Sequence, residues 1–216
     1  STAHQQVDAY AWSWAAVLFF RNHPRTKSAF QSLLRRPMRS DLTLTRWFFR
    51  QLRSEWPKVR QEWNAMLAEL DYGYDPSEGM LKLSNRPVPL SATRTLAVQA
   101  DESWQASGVR VNSGERFVVS ADGQFVVCQK PRPWKSLPDG VTLEYHRGNP
   151  LGTLMMTIVA PLPTEADFSE TIQWQPVGSR AEFAAPSSGE LHFRINEPNG
   201  ELQDNSGQLD VTIEGP

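Results

Sequence analysis

The sequence predicts an α+β protein of two units, in which a small helical segment precedes an antiparallel β-sandwich. Three observations support this prediction. In residues 1–80, apolar and aromatic side chains recur every three or four positions, as they do on one face of a helix. After residue 90, short stretches alternate apolar and polar residues, as half-buried strands do. The net charge also changes, from +3 over residues 1–80 to −5 over residues 81–216.

The helical segment is predicted to hold four short helices. Prolines and candidate caps set their bounds: a first helix from Val7 to Arg21 that ends before Pro24, a second that ends before Pro37, a third capped by Ser40 or Asp41, and a fourth with Pro57 in its first turn that runs to Leu70. The apolar faces of these helices are too rich for isolated helices. We therefore expect a small bundle, or the C-terminal remnant of a larger domain.

The β part is predicted to follow a short linker. Glycine and proline cluster between Asp71 and Leu90, so we divide the chain into a helical segment (1–80), a linker (81–90) and a β-sandwich (91–216). Alternation and turn signals predict ten strands: Thr95–Gln99, Val109–Val111, Arg116–Ser120, Gln124–Cys128, Val141–His146, Leu151–Val159, Ile172–Pro176, Arg180–Ala184, Leu191–Ile195 and Leu209–Ile213. In the strand Leu191–Ile195, the alternation predicts that His192 faces solvent.

Composition excludes several classes of function. Neither unit has the strongly basic face of a nucleic-acid-binding protein, and no apolar run approaches the roughly twenty residues of a membrane span. No catalytic triad or phosphate loop is present, so the chain itself is expected not to be an enzyme. The single Cys128 excludes an internal disulfide and is expected to be a buried strand thiol. Because the chain begins at Ser1 without a methionine, we expect a segment of a longer secreted protein, in an extracellular, cell-surface or periplasmic location.

One stretch between the last two strands suggests chemistry. It concentrates the side-chain oxygens of Glu197, Asn199, Glu201, Asp204, Asn205 and Ser206. Calcium is bound by six to eight such oxygens, including backbone carbonyls. The same residue types are also the ordinary residues of a solvated turn, which remains the alternative interpretation.

The order of several motifs resembles the PA-IL-type bacterial lectins. Asp204-Asn205-Ser206-Gly207 before the final strand carries the resemblance, together with the upstream stretches Val111–Glu115, Gly152–Ile158 and Ala181–Pro186. The resemblance implies a β-sandwich of the PA-IL-like, galactose-binding-domain-like kind, in which a calcium ion holds a pair of sugar hydroxyls. It implies carbohydrate as the ligand and calcium as the cofactor.

The resemblance also implies site residues. By position in the loop, Glu197, the carbonyl of Glu201, Asp204 and Asn205 are similar to the calcium ligands of the family. Glu197 replaces a shorter aspartate and Glu201 replaces a threonine. On the sugar side only Pro138-Asp139 is retained, so galactose specificity does not carry over. His146, in the turn Tyr145–Pro150, is the other candidate sugar contact, with a surface or packing role as its alternative.

A second resemblance concerns the helical segment. Tyr10–Phe20, followed by Glu62-Trp63 and Leu67, resembles the helices after the active site of gluzincin-type metallopeptidase-like proteins. The zinc site of that family needs His-Glu-x-x-His, which this chain lacks. We therefore expect no zinc-peptidase activity from the chain itself.

Three hypotheses follow from the sequence. The first is a non-catalytic, lectin-like module of a larger secreted protein. The second is the C-terminal part of a metallopeptidase-like protein, in which the sandwich serves as a docking domain without a ligand. The third is a sandwich that docks on the helices and binds nothing. In each case the two units are expected to dock on each other or on upstream sequence.

Overall fold

The computed structural model describes residues 2–37, 42–129, 131–160 and 172–215, with side chains from Ala9 onward. The helices are α1 (Thr2–Asn22), α2 (Pro24–Leu34), α3 (Thr43–Gln51) and α4 (Trp56–Glu69). The strands are β1 (Val88–Pro89), β2 (Arg94–Gln99), β3 (Gln105–Val111), β4 (Arg116–Asp122), β5 (Phe125–Cys128), β6 (Trp134–Ser136), β7 (Asp139–His146), β8 (Asn149–Val159), β9 (Gln175–Pro176), β10 (Arg180–Ala184), β11 (Gly189–Ile195) and β12 (Gln208–Glu214). The fold is therefore α+β, as the sequence predicts.

Two antiparallel sheets form the sandwich. The first has the order β1-β3-β11-β8-β7, with β9 also paired to β8. The second has the order β10-β4-β12-β2, and β5 and β6 form a separate hairpin. Among the described strands, only β1 pairs in parallel, with β3. Strands β11 and β12 thus lie inside their sheets, and the loop between them leaves from the interior of one sheet and enters the interior of the other.

The hydrophobic core lies between the sheets. Leu191, Phe193 and Ile195 point inward from β11, and β12 contributes every second residue opposite them, Leu209, Val211 and Ile213. These are the positions that the alternation of the sequence assigns to the buried face. Fully burying side chains of this size stabilises the folded state by roughly 1.5–3 kcal/mol each.

A third layer covers the outer face of the first sheet. Ala65 of α4, Leu81 and Trp104 pack against Met155 and Val159 of β8. Every residue of β11 is consequently buried. The prediction that His192 faces solvent is therefore wrong, since its side chain is 0% exposed beneath this layer.

The helices follow the predicted pattern. Phe19 of α1, Val59 and Met66 form one apolar cluster, and Phe30 of α2 packs with Phe48 in a second. Pro24 both ends α1 and begins α2, whose N-terminus is capped by the His23 side chain. Leu42 is the N-terminal cap residue of α3, whereas the predicted caps Ser40 and Asp41 lie outside the described residues. No helix in the described part of the chain is long and apolar enough to cross a membrane.

The structure also departs from the predicted elements. The strand predicted at Ile172–Pro176 is reduced to β9, and the sequence did not predict β1 or β6. Residues 81–90, predicted as a linker, are bonded to both units: the Leu83 N–H donates to Glu62 of α4, and the Ser84 N–H donates to Glu190 of β11. Cys128 is half-buried rather than buried, because it lies at the end of β5.

Candidate functional site

The acidic loop, residues 196–207, connects β11 to β12. The Asn196 side chain fixes its first residue, because Nδ2 donates to the carbonyls of His146, Asn149 and Pro150 at 2.9, 3.0 and 2.9 Å. Its other end pairs with the end of β5 through a bridge between Ser206 and Val126. The loop is therefore anchored to the β7–β8 hairpin on one side and to β5 on the other.

Two of the four predicted calcium ligands face inward. Glu197 and Asn205 are 2% and 6% exposed, and the Asn205 amide Nδ2 donates to Oε2 of Glu197 and to the carbonyl of Ala100 at 2.9 Å. Among the described residues, Oδ1 of Asn205 has no hydrogen-bond partner. A buried amide oxygen without a donor is costly, so this atom is available to a ligand that the protein itself does not supply.

The other two predicted ligands face outward. Glu201 and Asp204 are exposed, and Oδ2 of Asp204 accepts the Gln129 N–H at 3.2 Å. The contact with Gln129 brings the chain that follows β5 beside the loop. The loop thus carries an inner pair, Glu197 and Asn205, and an outer pair, Glu201 and Asp204.

The loop has an unbalanced negative charge. Burial, aided by the nearby Glu201 and Asp204 carboxylates, raises the pKa of Glu197 to about 8, against the Asn205 hydrogen bond and the Arg194 charge. Burial and the charges of Glu144 and Asp204 also raise the pKa of Glu201. A cation bound here would favour the ionised form of both carboxyls.

The donor types suit calcium, but their placement suits it only in part. Within the described ranges, no three His, Cys, Asp or Glu side chains are grouped so that they could hold a metal ion. The set would have to combine carboxylates of the inner and outer pairs with amide and backbone oxygens, such as Oδ1 of Asn205. Calcium accepts such mixed oxygen sets, whereas magnesium requires a stricter octahedron.

The two predicted sugar contacts lie at opposite ends of β7. Asp139 begins the strand and accepts the Ser179 N–H through Oδ1 at 2.8 Å. His146 ends the strand, and its ring meets that of Trp174 edge-on at 6.0 Å between centroids. Burial and the charges of Arg147 and Arg194 lower the pKa of His146 to about 4. Only His146 is attached to the acidic loop, through its carbonyl and Asn196.

The sequence analysis missed a buried ion pair beside the loop. Arg194 of β11 is 0% exposed; its Nη1 donates to Oε2 of Glu69 at 3.1 Å, and its Nη2 donates to the carbonyl of Glu197 at 2.6 Å. The same carboxylate of Glu69 accepts the Asn199 amide at 3.2 Å. Glu69 ends α4, so this pair joins the helical segment to the base of the acidic loop.

Two tryptophans complete the surroundings of Arg194. The guanidinium carbons of Arg147 and Arg194 both lie over the Trp174 ring, 4.3 and 4.6 Å from its centroid, and the Trp174 Nε1 donates to Glu69 at 3.3 Å. Trp104 meets Trp174 edge-on at 4.9 Å. The only signal in the sequence was an arginine in an apolar strand, and the alternation rule interprets such a residue as solvent-facing.

The segment after α4 covers one side of the acidic loop. A Cβ atom at Gly200 would lie 2.5 Å from the Tyr72 carbonyl oxygen, so only glycine permits this approach. Nearby, the Gln203 amide donates to Asp75 at 3.4 Å. The loop is therefore partly enclosed by the helical segment, while Glu201 and Asp204 stay accessible to solvent.

The chain matches no protein-family model and no curated protein. Among solved structures, it is similar to the EclA N-terminal domain, described as a PllA-like lectin, at 17% identity and a TM-score of 0.43, over 57% of this chain and 96% of that one.

Two metallopeptidases are also among the similar structures. The M60 catalytic domain of Clostridium perfringens ZmpC, in complex with the sialyl T antigen, matches at 12% identity and a TM-score of 0.32, over 57% of this chain and 24% of that one. IMPa metallopeptidase from Pseudomonas aeruginosa matches at 14% and 0.31, over 61% of this chain and 13% of that one. These are a lectin and metallopeptidases, the same two kinds of protein that the sequence motifs described above resemble. Because the TM-scores lie below 0.5, the function proposed below rests on the residues of this chain.

Proposed function

We propose that the chain is a non-catalytic, lectin-like module that binds carbohydrate with the help of a calcium ion in the acidic loop. One observation carries this proposal: the buried Oδ1 of Asn205 has no partner among the described residues, and it belongs to the residue that contacts the buried carboxyl of Glu197. A cation bound by oxygen ligands would contact groups of this kind, a buried carboxyl and a buried amide oxygen that lacks a hydrogen-bond donor.

The proposal assigns a role to each loop residue. Glu197, Asp204 and Asn205 would bind the ion through their side chains, and Glu201 would bind it through its carbonyl. Bound calcium would supply coordination positions for two neighbouring hydroxyls of a sugar. Its charge would also favour the ionised forms of Glu197 and Glu201, whose pKa values are raised by burial first and by the neighbouring carboxylates second. His146, at the base of the loop, is the candidate sugar contact that lies nearest, whereas Asp139 lies at the far end of β7.

Calorimetric titration and thermal unfolding test the calcium step. At a calcium concentration about a hundred times Kd, a site on the folded state alone adds about 2.7 kcal/mol to the free energy of unfolding. For a chain of this size, that is a rise of roughly 5–10 °C in the melting temperature. We expect this rise in the wild type, a smaller rise with magnesium, and no rise in Asp204→Ala or Asn205→Ala.

The matched control is Asp210→Ala, which removes an exposed carboxylate from β12 outside the loop and should leave the calcium effect unchanged. Absence of heat and of a melting shift at millimolar calcium would remove the metal site from the proposal. Retention on immobilised monosaccharides, with and without a chelator, then tests the sugar step. If retention is the same with and without the chelator, the proposal that calcium bridges the sugar to the protein is contradicted.

A second candidate function is a docking module that positions the helical segment and binds no ligand. It is favoured by the buried pair of Arg194 and Glu69 and by the cover that Tyr72 and Gly73 place over Gly200. This function predicts that calcium and sugars give no signal, while separation of the two units unfolds the protein. The two candidates therefore differ in the outcome of the titration.

A further inference from the structure

A cavity of about 470 Å³ opens where the helical segment meets the first sheet. The N-terminal turn of α4 forms one wall with Trp56 and Pro57, and the segment that precedes β1 forms another with Leu83 and Pro87. The start of β11 contributes Gly189 and Glu190. None of the residues of the acidic loop lines this cavity, so it is separate from the candidate site described above. Its size lies in the range of small-molecule sites.

Glu190 is the polar group that this cavity leaves unsatisfied. Its side chain is more than nine-tenths buried, at 5% exposed. Oε2 accepts the Ser84 N–H at 3.1 Å, whereas Oε1 has no hydrogen-bond partner among the described residues. A carboxylate oxygen withdrawn from water and left without a donor is costly. A ligand that carries a hydrogen-bond donor would satisfy it.

Arg110 lies directly opposite Glu190. The two residues are partners in the register of β3 and β11, so their side chains leave the same face of the sheet. Both line the cavity, yet in the part of the chain that the structure describes no ion pair joins them. The opposite charges therefore flank the cavity without neutralising each other.

Basic residues outnumber the carboxylate in this cavity. Lys58, Arg60 and Arg110 line it together with Glu190. The Lys58 ammonium donates to the carbonyls of Ser84 and Asn85 at 3.1 and 2.9 Å, which positions its charge beside Ser84, another residue that lines the cavity. Lys58 and Arg110 alone outnumber the Glu190 carboxylate, which gives the cavity a net positive charge and favours an anionic ligand.

We propose that this cavity binds a small organic carboxylate that also carries a hydrogen-bond donor. The carboxylate contacts Arg110 and the ammonium of Lys58, the donor contacts Oε1 of Glu190, and the apolar part of the ligand lies against Trp56 and Pro57. A sugar acid and a free amino acid share this chemistry. The ammonium of an amino acid would form a charge-assisted bond with Glu190, and the hydroxyls of a sugar acid would form neutral donor bonds to it.

Isothermal titration of the whole chain tests the proposal, with D-glucuronate, L-leucine and neutral D-glucose as probes and a chelator present throughout. The chelator keeps the outcome independent of calcium in the acidic loop. We expect glucuronate or leucine to bind with a Kd of about 1 mM or below, and glucose to bind at least about tenfold more weakly than the carboxylate that binds. Glucuronate alone identifies a sugar acid, and leucine alone identifies an amino acid.

Three variants locate the binding. Arg110→Ala removes an exposed side chain and should weaken the carboxylate at least about tenfold. Glu190→Gln keeps an acceptor for the Ser84 N–H and should weaken leucine more than glucuronate. Arg180→Ala, which removes an exposed strand arginine paired with Glu214, should change nothing. The proposal is overturned if neither carboxylate gives heat at about 10 mM, if glucose binds as well as the carboxylate that binds, or if Arg110→Ala binds like the wild type.

Discussion

At the scale of single residues, His23 shows how a polar side chain is accommodated inside the helical segment. It is 1% exposed, and its Nδ1 accepts the Arg25 N–H at 3.3 Å, which caps α2. Its Nε2 lies 3.3 Å from the carbonyl of Leu81 and 3.5 Å from Glu62. Burial, more than the neighbouring Arg25 and Lys82, lowers the pKa of His23 to about 4 despite the Leu81 hydrogen bond. The imidazole is therefore neutral in the folded protein at neutral pH.

The lowered pKa predicts an acid-dependent loss of stability. Between pH 6.5 and pH 4 the unfolded chain binds a proton at His23 and the folded chain does not, so the free energy of unfolding falls as pH falls through this window. We expect the wild type to lose on the order of 2 kcal/mol more than His23→Gln between pH 7 and pH 4.5.

Urea unfolding at the two pH values measures this difference. The pKa of Glu62 is raised mainly by burial, so its contribution to the free energy of unfolding falls as pH rises, whereas that of His23 increases. Glu62 is present in both proteins, so the comparison with the variant removes its contribution. Equal losses in the wild type and in His23→Gln would show that His23 is not the responsible group.

At the scale of elements, one ion pair joins α4 to β11. Burial lowers the pKa of Arg194 to about 10, even though the neighbouring Glu69 carboxylate favours the charged form of the guanidinium. The guanidinium is thus removed from solvent. Removal of one partner of a buried pair leaves an uncompensated charge, and this costs more than the pair itself contributes.

We therefore expect Glu69→Gln to lower the free energy of unfolding by about 3 kcal/mol or more, and the double variant Glu69→Leu/Arg194→Met to recover much of this loss. Chemical unfolding of Glu69→Leu, of Arg194→Met and of the double variant gives the coupling energy. The exposed pair of Arg180 and Glu214, at 3.8 Å, serves as the control, since Arg180→Met should cost less than about 1 kcal/mol. A loss of that small size in Glu69→Gln would contradict the docking role of the pair.

At the scale of the whole molecule, the helical segment and the sandwich share buried structure. Cluster residues from α4, from residues 81–83 and from β8 form one apolar layer. The Leu90 N–H donates to the Arg110 carbonyl at 3.1 Å, and β1 pairs with β3. The segment between residues 71 and 90, where the composition indicates a boundary, therefore contacts both the helical segment and the sandwich.

This arrangement predicts that the chain unfolds in one transition. We expect the calorimetric and van't Hoff enthalpies to agree, and trypsin to cleave after Lys82 only at the rate of global unfolding, although this side chain is exposed. Two resolved melting transitions, or early cleavage after Lys82 with a stable sandwich fragment left behind, would instead indicate independent units.

The sequence by itself determined the four helices, most of the strands and the faces that fill the core. Periodicity located α1 to α4, and alternation assigned Leu191, Phe193 and Ile195 to the interior, because these signals depend on residues a few positions apart. Only the tertiary structure determined whether the opposite face of β11 is exposed or buried. His192 and Arg194 became buried because Ala65, Leu81 and Trp104, all distant in sequence, cover that face. In the acidic loop, Glu197 is buried beside the Asn205 amide, which is itself bonded to the distant Ala100 carbonyl, while Glu201 is exposed. The alternation along a strand does not report such contacts, because they come from residues far away in the sequence.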